Sequence, residues 1–277
     1  MSSLRDSGMS TTRIIRTIMT VERSSITADR TPQNIYDDPA FFAGYSRLER
    51  FGAGWTKAYE YSSFMSLLPD VAGKRALDLG CGAGRLAHYL AEAGAAEVIG
   101  VDLSERMLEV ARAECSHPRL TFQRASMEEA AFPPERFDLV VSSFAFHYVA
   151  DFLGLVRRIA AWLSPGGLLV FSNEHPVYLS RAAADGWVRD ADGAPQHWAL
   201  DRYGDEGLRE ESWIADGVQK YHRMVSTILN DLIAAGFMIE RVLEPMPDAE
   251  LLKRRPDWGH EGKRPFCLLV RARKPGG

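Results

Sequence analysis

The sequence predicts an α/β fold in which a mostly parallel sheet is covered by helices on both faces. Three observations carry this reading. From Lys74 onward, short apolar runs alternate with helical segments. The runs are strongly apolar, as strands buried on both faces require. A glycine turn follows the first run, in Arg75-Ala76-Leu77-Asp78-Leu79-Gly80-Cys81-Gly82-Ala83-Gly84-Arg85.

Residues 36–68 read as an aromatic-rich helical segment carrying Tyr36, Phe41, Phe42, Tyr45, Phe51, Trp55 and Tyr59. A strand over 76–79 leads through the turn to a helix from about Arg85, stopped by Gly94. The strand 98–102 precedes a helix capped by Ser104, whose hydroxyl can accept a free N–H of the first turn. Its apolar stripe is Met107, Leu108 and Ala111, and Pro118 prevents continuation. Strands over 120–123 and 137–142 follow, then a helix over 152–163 ended by Ser164-Pro165-Gly166-Gly167, and a fifth strand over 168–171. Residues 173–217 break the rhythm with Trp187, Trp198, Tyr203 and Trp213 among many Gly and Asp, too long a stretch for a mere connection. A helix over 221–235 and strands over 237–243 and 266–271 complete the chain. Residues 1–35 are then an extension and 36–277 one domain, with a lid or substrate insert over 173–217.

Composition narrows the function. The chain has 277 residues, 46% hydrophobic and 25% charged, which is ordinary for a globular protein able to bury a sizeable core. A net charge of −4 lacks the basic footprint of nucleic-acid binding. Cys81, Cys115 and Cys267 have neither metal nor disulfide spacing, which favours a reducing cytoplasm. No apolar run approaches the roughly 18–20 residues of a membrane span. Arginines among Ser and Thr near the start suggest a transit peptide, but Asp6, Glu22 and Asp29 argue against one. Ile14, Ile15, Ile18 and Met19 share a helical face that can dock on its own domain or on another subunit of a homo-oligomer.

The turn carries the chemistry. Glycines there let a ligand approach the backbone N–H groups. Asp102, ending the next strand, can accept hydrogen bonds from two ribose hydroxyls. Together they point to an adenosine-containing cofactor. A dinucleotide fingerprint would need a third glycine where Arg85 stands. Asp78 inside the turn instead suits a cation, such as an ammonium or sulfonium.

The pattern Asp78-x-Gly80-x-Gly82-x-Gly84 resembles the first motif of the class I S-adenosylmethionine-dependent methyltransferases. The resemblance implies a Rossmann-like, seven-stranded, mostly parallel sheet closed by an antiparallel pair, with S-adenosyl-L-methionine as cofactor. It implies that Asp78, Gly80, Cys81, Gly82 and Gly84 hold the methionine part and Asp102 the ribose. Leu103 and Met107 line the adenine, although Met107 could equally be core. Where many relatives carry an acid for the adenine amino group, this chain has Ser126-Met127, with Glu128 two residues beyond Ser126. Ser142 and Ser143 open the methyl-facing rim, and Tyr36 and Tyr45 are expected to cover the site. Ser142-Ser143-Phe144-Ala145-Phe146-His147-Tyr148-Val149 is the second motif, followed by Asn173-Glu174-His175-Pro176 and Gln219-Lys220-Tyr221-His222-Arg223. With a closing strand like Phe266–Leu269, these resemble a bacterial small-molecule subgroup close to the ubiquinone/menaquinone-biosynthesis methyltransferases, over about residues 36–273.

Methyl transfer is an in-line displacement in which the protein mainly positions the nucleophile. A general base can assist, and His is the usual choice. His147 is the first candidate, with His175 and His222 behind it; the plain alternative is that His147 supports a loop. His117, His197 and His260 read as surface residues and Lys253-Arg254-Arg255 as a solvated charge run. The expected acceptor is a small apolar or aromatic metabolite, prenylated or polyketide-like, with oxygen, nitrogen or carbon left open. The rivals are a nicotinamide-dependent oxidoreductase and a non-catalytic cofactor-binding protein.

Overall fold

In the computed structural model, residues 31–181 and 186–276 are described. The chain divides into Met1–Thr31 and Pro32–Gly277, and the elements of the described residues lie in the second unit. The expectations for the extension's first thirty residues, the Ile14-to-Met19 face and its subunit contact, fall outside the described residues.

The parallel strands are β1 (Arg75–Leu79), β2 (Glu97–Asp102), β3 (Leu120–Arg124), β4 (Phe137–Ser143) and β5 (Leu163–Glu174). Two hairpins follow: β6 (Trp187–Arg189) with β7 (Pro195–Trp198), and β8 (Gly207–Trp213) with β9 (Ala215–His222). Then come β10 (Met238–Leu243) and β11 (Cys267–Arg273). The main sheet has seven strands in the order β10-β11-β5-β4-β1-β2-β3. β11 runs antiparallel to both of its neighbours and the other pairs are parallel. The seven-stranded, mostly parallel sheet is therefore present as expected.

Side chains alternate across this sheet because successive strand residues point to opposite faces. Leu77 and Leu79 of β1, Val140 of β4, and Leu169 and Phe171 of β5 enter one core. That core is completed by α5 (Phe152–Trp162) and α7 (Val225–Ala234), through Leu155, Ile159, Ile228 and Leu232. Ala76, Leu139, Val141, Leu168 and Val170 enter the other core, against α2 (Tyr61–Leu67) and α3 (Arg85–Glu92). Leu86, Ala87, Leu90 and Ala91 form the buried stripe of α3. Each fully buried Leu, Val or Phe contributes roughly 1.5–3 kcal/mol. The remaining helices are α1 (Pro39–Tyr45), α4 (Glu105–Glu114), α6 (Pro176–Leu179) and α8 (Ala249–Arg254). Ser104 caps α4 as expected, accepting from Met107 N at 3.1 Å.

Three expectations need correction. Residues 36–68 are not one helical run but α1, α2 and short 3-10 turns at Ile35–Asp37 and Gly52–Lys57. The chain doubles back so closely that a Cβ on Gly54 would lie 1.7 Å from Glu49 O. The long connection over 173–217 is largely the two hairpins. The helix expected from Tyr221 starts at Val225, because β9 extends through His222 and pairs Tyr221 with Leu208. The charge run is solvated as read, with Lys253 on Glu250 and Arg255 on Asp257 and Glu49.

Candidate functional site

β1 has β2 on one side and β4 on the other, so the chain reverses its direction of progress across the sheet beside β1. In open parallel sheets ligands bind outside the carboxyl ends of the strands at such a point. Here a cavity of about 310 Å³ opens.

Its floor is the glycine turn. Gly80 N and Cys81 N both donate to Val101 O, at 2.8 and 3.0 Å, which staples the turn to β2. Gly82 has φ +51° and a Cβ there would meet nothing within 4 Å, leaving its surroundings open to a ligand. Gly84 serves differently. It does not line the cavity; a Cβ on it would lie 2.6 Å from Phe122 Cζ, so it allows α3 to pack close to β3. Cys81 lines the cavity, and burial holds its thiol well above the usual range, consistent with packing rather than reactivity.

Two acids face one another across this floor. Asp102 accepts from Gly82 N (2.8 Å) through Oδ2 and from Ser104 N (2.9 Å) through Oδ1. Burial raises its pKa, with the Ser104 and Gly82 amides pulling the other way. Asp78 is 1% exposed and its Oδ2 has no hydrogen-bond partner among the described residues. Burial, and then the charge of Asp102, push Asp78 up to about 8. A buried, unpartnered carboxylate oxygen beside an open glycine turn fits a ligand that brings a cation or a donor.

Leu103, Met107, Ser126 and Met127 line the next part of the wall. Ser126 Oγ accepts from Glu128 N at 3.0 Å. Glu128 also lines the cavity, and its Oε1 accepts from Ala150 N (2.9 Å) and Asp151 N (3.3 Å), tying the turn after β3 to the start of α5. Ser143 lines the cavity after β4. Ser142 does not, because its fully buried hydroxyl donates to Leu79 O at 2.7 Å and ties β4 to β1.

The structure separates the three candidate histidines. His147, 1% exposed, lines the cavity, and its Nδ1 is 3.1 Å from Asn173 Oδ1. That oxygen only accepts, so Nδ1 carries the proton and Nε2 presents a lone pair. Burial, then the Lys220 charge, push His147 down to about 3. His175 and His222 are engaged away from the cavity. His175 Nδ1 accepts from Val177 N at 3.0 Å to cap α6, while Nε2 donates to Glu244 at 2.7 Å. His222 Nε2 donates to Tyr203 O at 2.9 Å, with Ser180 Oγ beside the ring.

The roof comes from distant segments. Pro32 to Tyr36 line the cavity, so part of the segment assigned to the extension belongs to the site. Asp37 fixes this strap by accepting from Ser104 Oγ (2.6 Å) and Arg106 N (3.1 Å) at the start of α4. Tyr36 and Tyr45 line the cavity; their rings meet edge to face at 5.0 Å, and Tyr36 OH lies 3.0 Å from Tyr148 OH. Tyr45 in turn packs on Trp213 at the end of β8, at 5.9 Å. Phe144, Tyr178 and Phe266 complete the aromatic wall. Sequence reasoning missed Arg50 and Glu174 as lining residues. Arg50 lies over the Phe144 ring at 4.7 Å and bonds Glu60 at 3.3 Å; no spacing signal marks it in the sequence. Glu174 stood inside a noted motif whose role the sequence did not reveal.

Residues 76–167 match the family model described as a methyltransferase domain. A solved structure, an S-adenosylmethionine dependent methyltransferase from Mesorhizobium loti, is 45% identical, with a TM-score of 0.74 over 78% of this chain and 98% of that one. An uncharacterized protein of Haemophilus influenzae is 38% identical over 87% of this chain and 97% of its own length. A ubiquinone biosynthesis O-methyltransferase from Neisseria meningitidis is 33% identical over 138 residues, which span 44% of this chain and 58% of that protein. Similarity to that relative thus reaches little more than half its length.

Proposed function

The chain belongs to the S-adenosylmethionine-dependent methyltransferases, near the ubiquinone-biosynthesis group, and we propose that it methylates a small, apolar or aromatic metabolite of prenylated or polyketide-like type. The observation that supports the acceptor class is the aromatic chamber of Tyr36, Tyr45, Tyr148, Tyr178, Trp213 and Phe266 beside the glycine turn. Such a wall recognises ring or hydrocarbon surface.

The residues present fit the cofactor. Asp78, with its unpartnered oxygen, suits the ammonium of an amino-acid moiety, and Arg50 suits its carboxylate. Asp102 keeps lone pairs for the ribose hydroxyls beyond those used by Gly82 and Ser104. Leu103, Met107 and Met127 offer apolar surface for the base, and Ser126 a polar edge. S-adenosylmethionine supplies an electrophilic methyl group on a sulfonium.

The chain's own contribution is positioning and exclusion of water. The strap and the Trp213 hairpin cover the cavity, so that an acceptor is held against the strand ends. His147, neutral at physiological pH, presents Nε2 as an acceptor that can orient a hydroxyl or amine and receive its proton as the methyl bond forms. A resting imidazole held this low makes orientation its larger role, since base catalysis is most effective with a pKa near the working pH.

Isothermal titration separates this reading from a nicotinamide enzyme: tight S-adenosylhomocysteine binding is expected, and NAD binding in its place would overturn the proposal. Incubation with methyl-labelled cofactor and hydroxylated aromatic metabolites then tests turnover against a non-catalytic binding role.

A further inference from the structure

Two motifs noted in the sequence meet inside the protein. Glu174, the last residue of β5, and Lys220 of β9 are 46 positions apart, and Lys220 Nζ bonds Glu174 Oε1 at 2.7 Å and Oε2 at 2.9 Å. The same ammonium bonds Glu211 Oε2 at 2.9 Å, and Arg181 Nη2 reaches that oxygen at 2.9 Å. Lys220 is 1% exposed, and Glu174 and Glu211 are each 8% exposed. Burial works against the Lys220 charge, but the two carboxylates more than offset it and hold the ammonium above the ordinary lysine range.

Two acids and two bases cancel in charge, but such networks are poor sources of stability. Desolvation consumes most of the Coulombic gain, and apolar replacements of similar volume are often neutral or stabilising. Its placement distinguishes one member. Of the four groups, Glu174 lines the cavity, whereas Glu211, Lys220 and Arg181 stand behind it. A carboxylate can accept about four hydrogen bonds, and Lys220 uses one position on each oxygen. The neighbouring wall is aromatic, from Tyr148, Tyr178, Trp213 and Phe266. Trp213 is itself fixed by Lys220 Nζ, 5.1 Å from its ring centroid.

We propose that Glu174 is an acceptor-binding residue, receiving a hydroxyl or amino donor of a ring compound, with Lys220 as the positioning residue that holds it in place. This rests on the methyl-transfer reading and narrows it: the acceptor carries a hydrogen-bond donor on or near its ring rather than being a bare hydrocarbon. A buried polar acceptor set in an aromatic wall selects against ligands that leave it unpaired.

The test uses full-length protein saturated with S-adenosylhomocysteine and three probes of one shape: 4-propylphenol, 4-propylaniline and propylbenzene. Titration calorimetry should show the phenol and the aniline binding about tenfold or more tighter than propylbenzene, as one charge-assisted hydrogen bond predicts. Glu174→Met should abolish that discrimination. The double variant Glu174→Met/Lys220→Met leaves Arg181 on Glu211; it should melt at or near the wild-type temperature yet still not discriminate. Equal binding of the three probes by wild type would overturn the proposal, as would discrimination retained in the double variant. Wild-type protein that fails to bind S-adenosylhomocysteine at all would overturn the methyl-transfer reading, and this inference with it.

Discussion

The two ends of the cavity are built from different materials. At one end the wall consists of strand termini and the turn between β1 and α3, where backbone amides, Asp78 and Asp102 stand within a few residues of the sheet core. At the other end the wall consists of side chains brought from far apart: Tyr36 from the strap, Tyr45 from the end of α1, Tyr148 from the 3-10 turn after β4, Trp213 from a hairpin and Phe266 before β11. The first end has polar groups with unused hydrogen-bonding capacity and rigid backbone. The second has aromatic edges packed on one another, such as Tyr36 against Tyr45 and Tyr45 against Trp213. A charged, hydrogen-bonding cofactor needs fixed partners, whereas an acceptor defined by shape needs surface. The contrast implies that cofactor binding and acceptor binding can be damaged separately.

The strongest attack on the first end is Asp102→Ala. It removes the carboxylate that fixes Gly82 and is proposed to hold the ribose, and S-adenosylhomocysteine affinity should fall by about a hundredfold or more by titration calorimetry, with two charge-assisted hydrogen bonds lost. Retention of wild-type affinity would remove Asp102 from the site.

Asp78 gives a pH signature at the same end. Its carboxyl, raised to about 8 by burial and by Asp102, must ionise to pair with an ammonium. Binding therefore releases a proton below that value, and affinity should rise with pH by up to about tenfold per unit until pH 8, then level off. Asp78→Asn should flatten the curve and lower affinity. A wild-type affinity independent of pH between 6 and 8 would contradict the ionised pairing.

His147 belongs to the junction between the two ends. His147→Ala should lower kcat by roughly tenfold to a hundredfold while changing S-adenosylhomocysteine affinity little, as expected for a residue that acts on the acceptor. Because its folded pKa is lowered to about 3, the neutral form persists as pH falls, and the kcat profile should show no limb near 6.5. A limb near 6.5 that disappears in the variant would show instead that the imidazole titrates normally.

The smallest effect concerns the strap. Asp37→Ala removes acceptors from Ser104 Oγ and Arg106 N and should cost about 1 kcal/mol in urea unfolding. Hydrogen bonds from Ser104, Arg106, Asn34 and Glu105 outweigh the opposing effect of burial and lower the Asp37 pKa, so its contribution is present above the unfolded value and is lost as pH falls through the folded one. No change in stability would mean that the strap is held by its aromatics alone.

The two ends also differ in how far the chain itself revealed them. The alternation of strands and helices, the turn at Gly80 to Gly84, Asp102 and the Ser104 cap are local: each depends on residues within one strand–turn–helix unit, so spacing along the chain suffices to read them. The seven strands and the closing antiparallel pair came from family resemblance and are present in the structure, whereas the strand order was read only from the structure. Gly84 shows the limit of local reading, since it packs on Phe122 of another strand instead of facing the cavity. His175 and His222 stood behind His147 as candidates but could not be set aside from sequence, because a motif does not say which neighbour will occupy a ring nitrogen.

The sequence by itself therefore marked the glycine-turn end apart from Arg50, where the proposed role follows from backbone conformation and residues adjacent in the chain. Tertiary structure alone decided the acceptor end. There Tyr148, Glu174, Trp213 and Phe266 line one cavity across long sequence separations, and Glu174 gains its meaning only when Lys220 of β9 closes on it. Non-local contacts of this kind leave no period in the sequence. Their polarity and reach are set by which strands lie side by side and by what the folded core excludes from water.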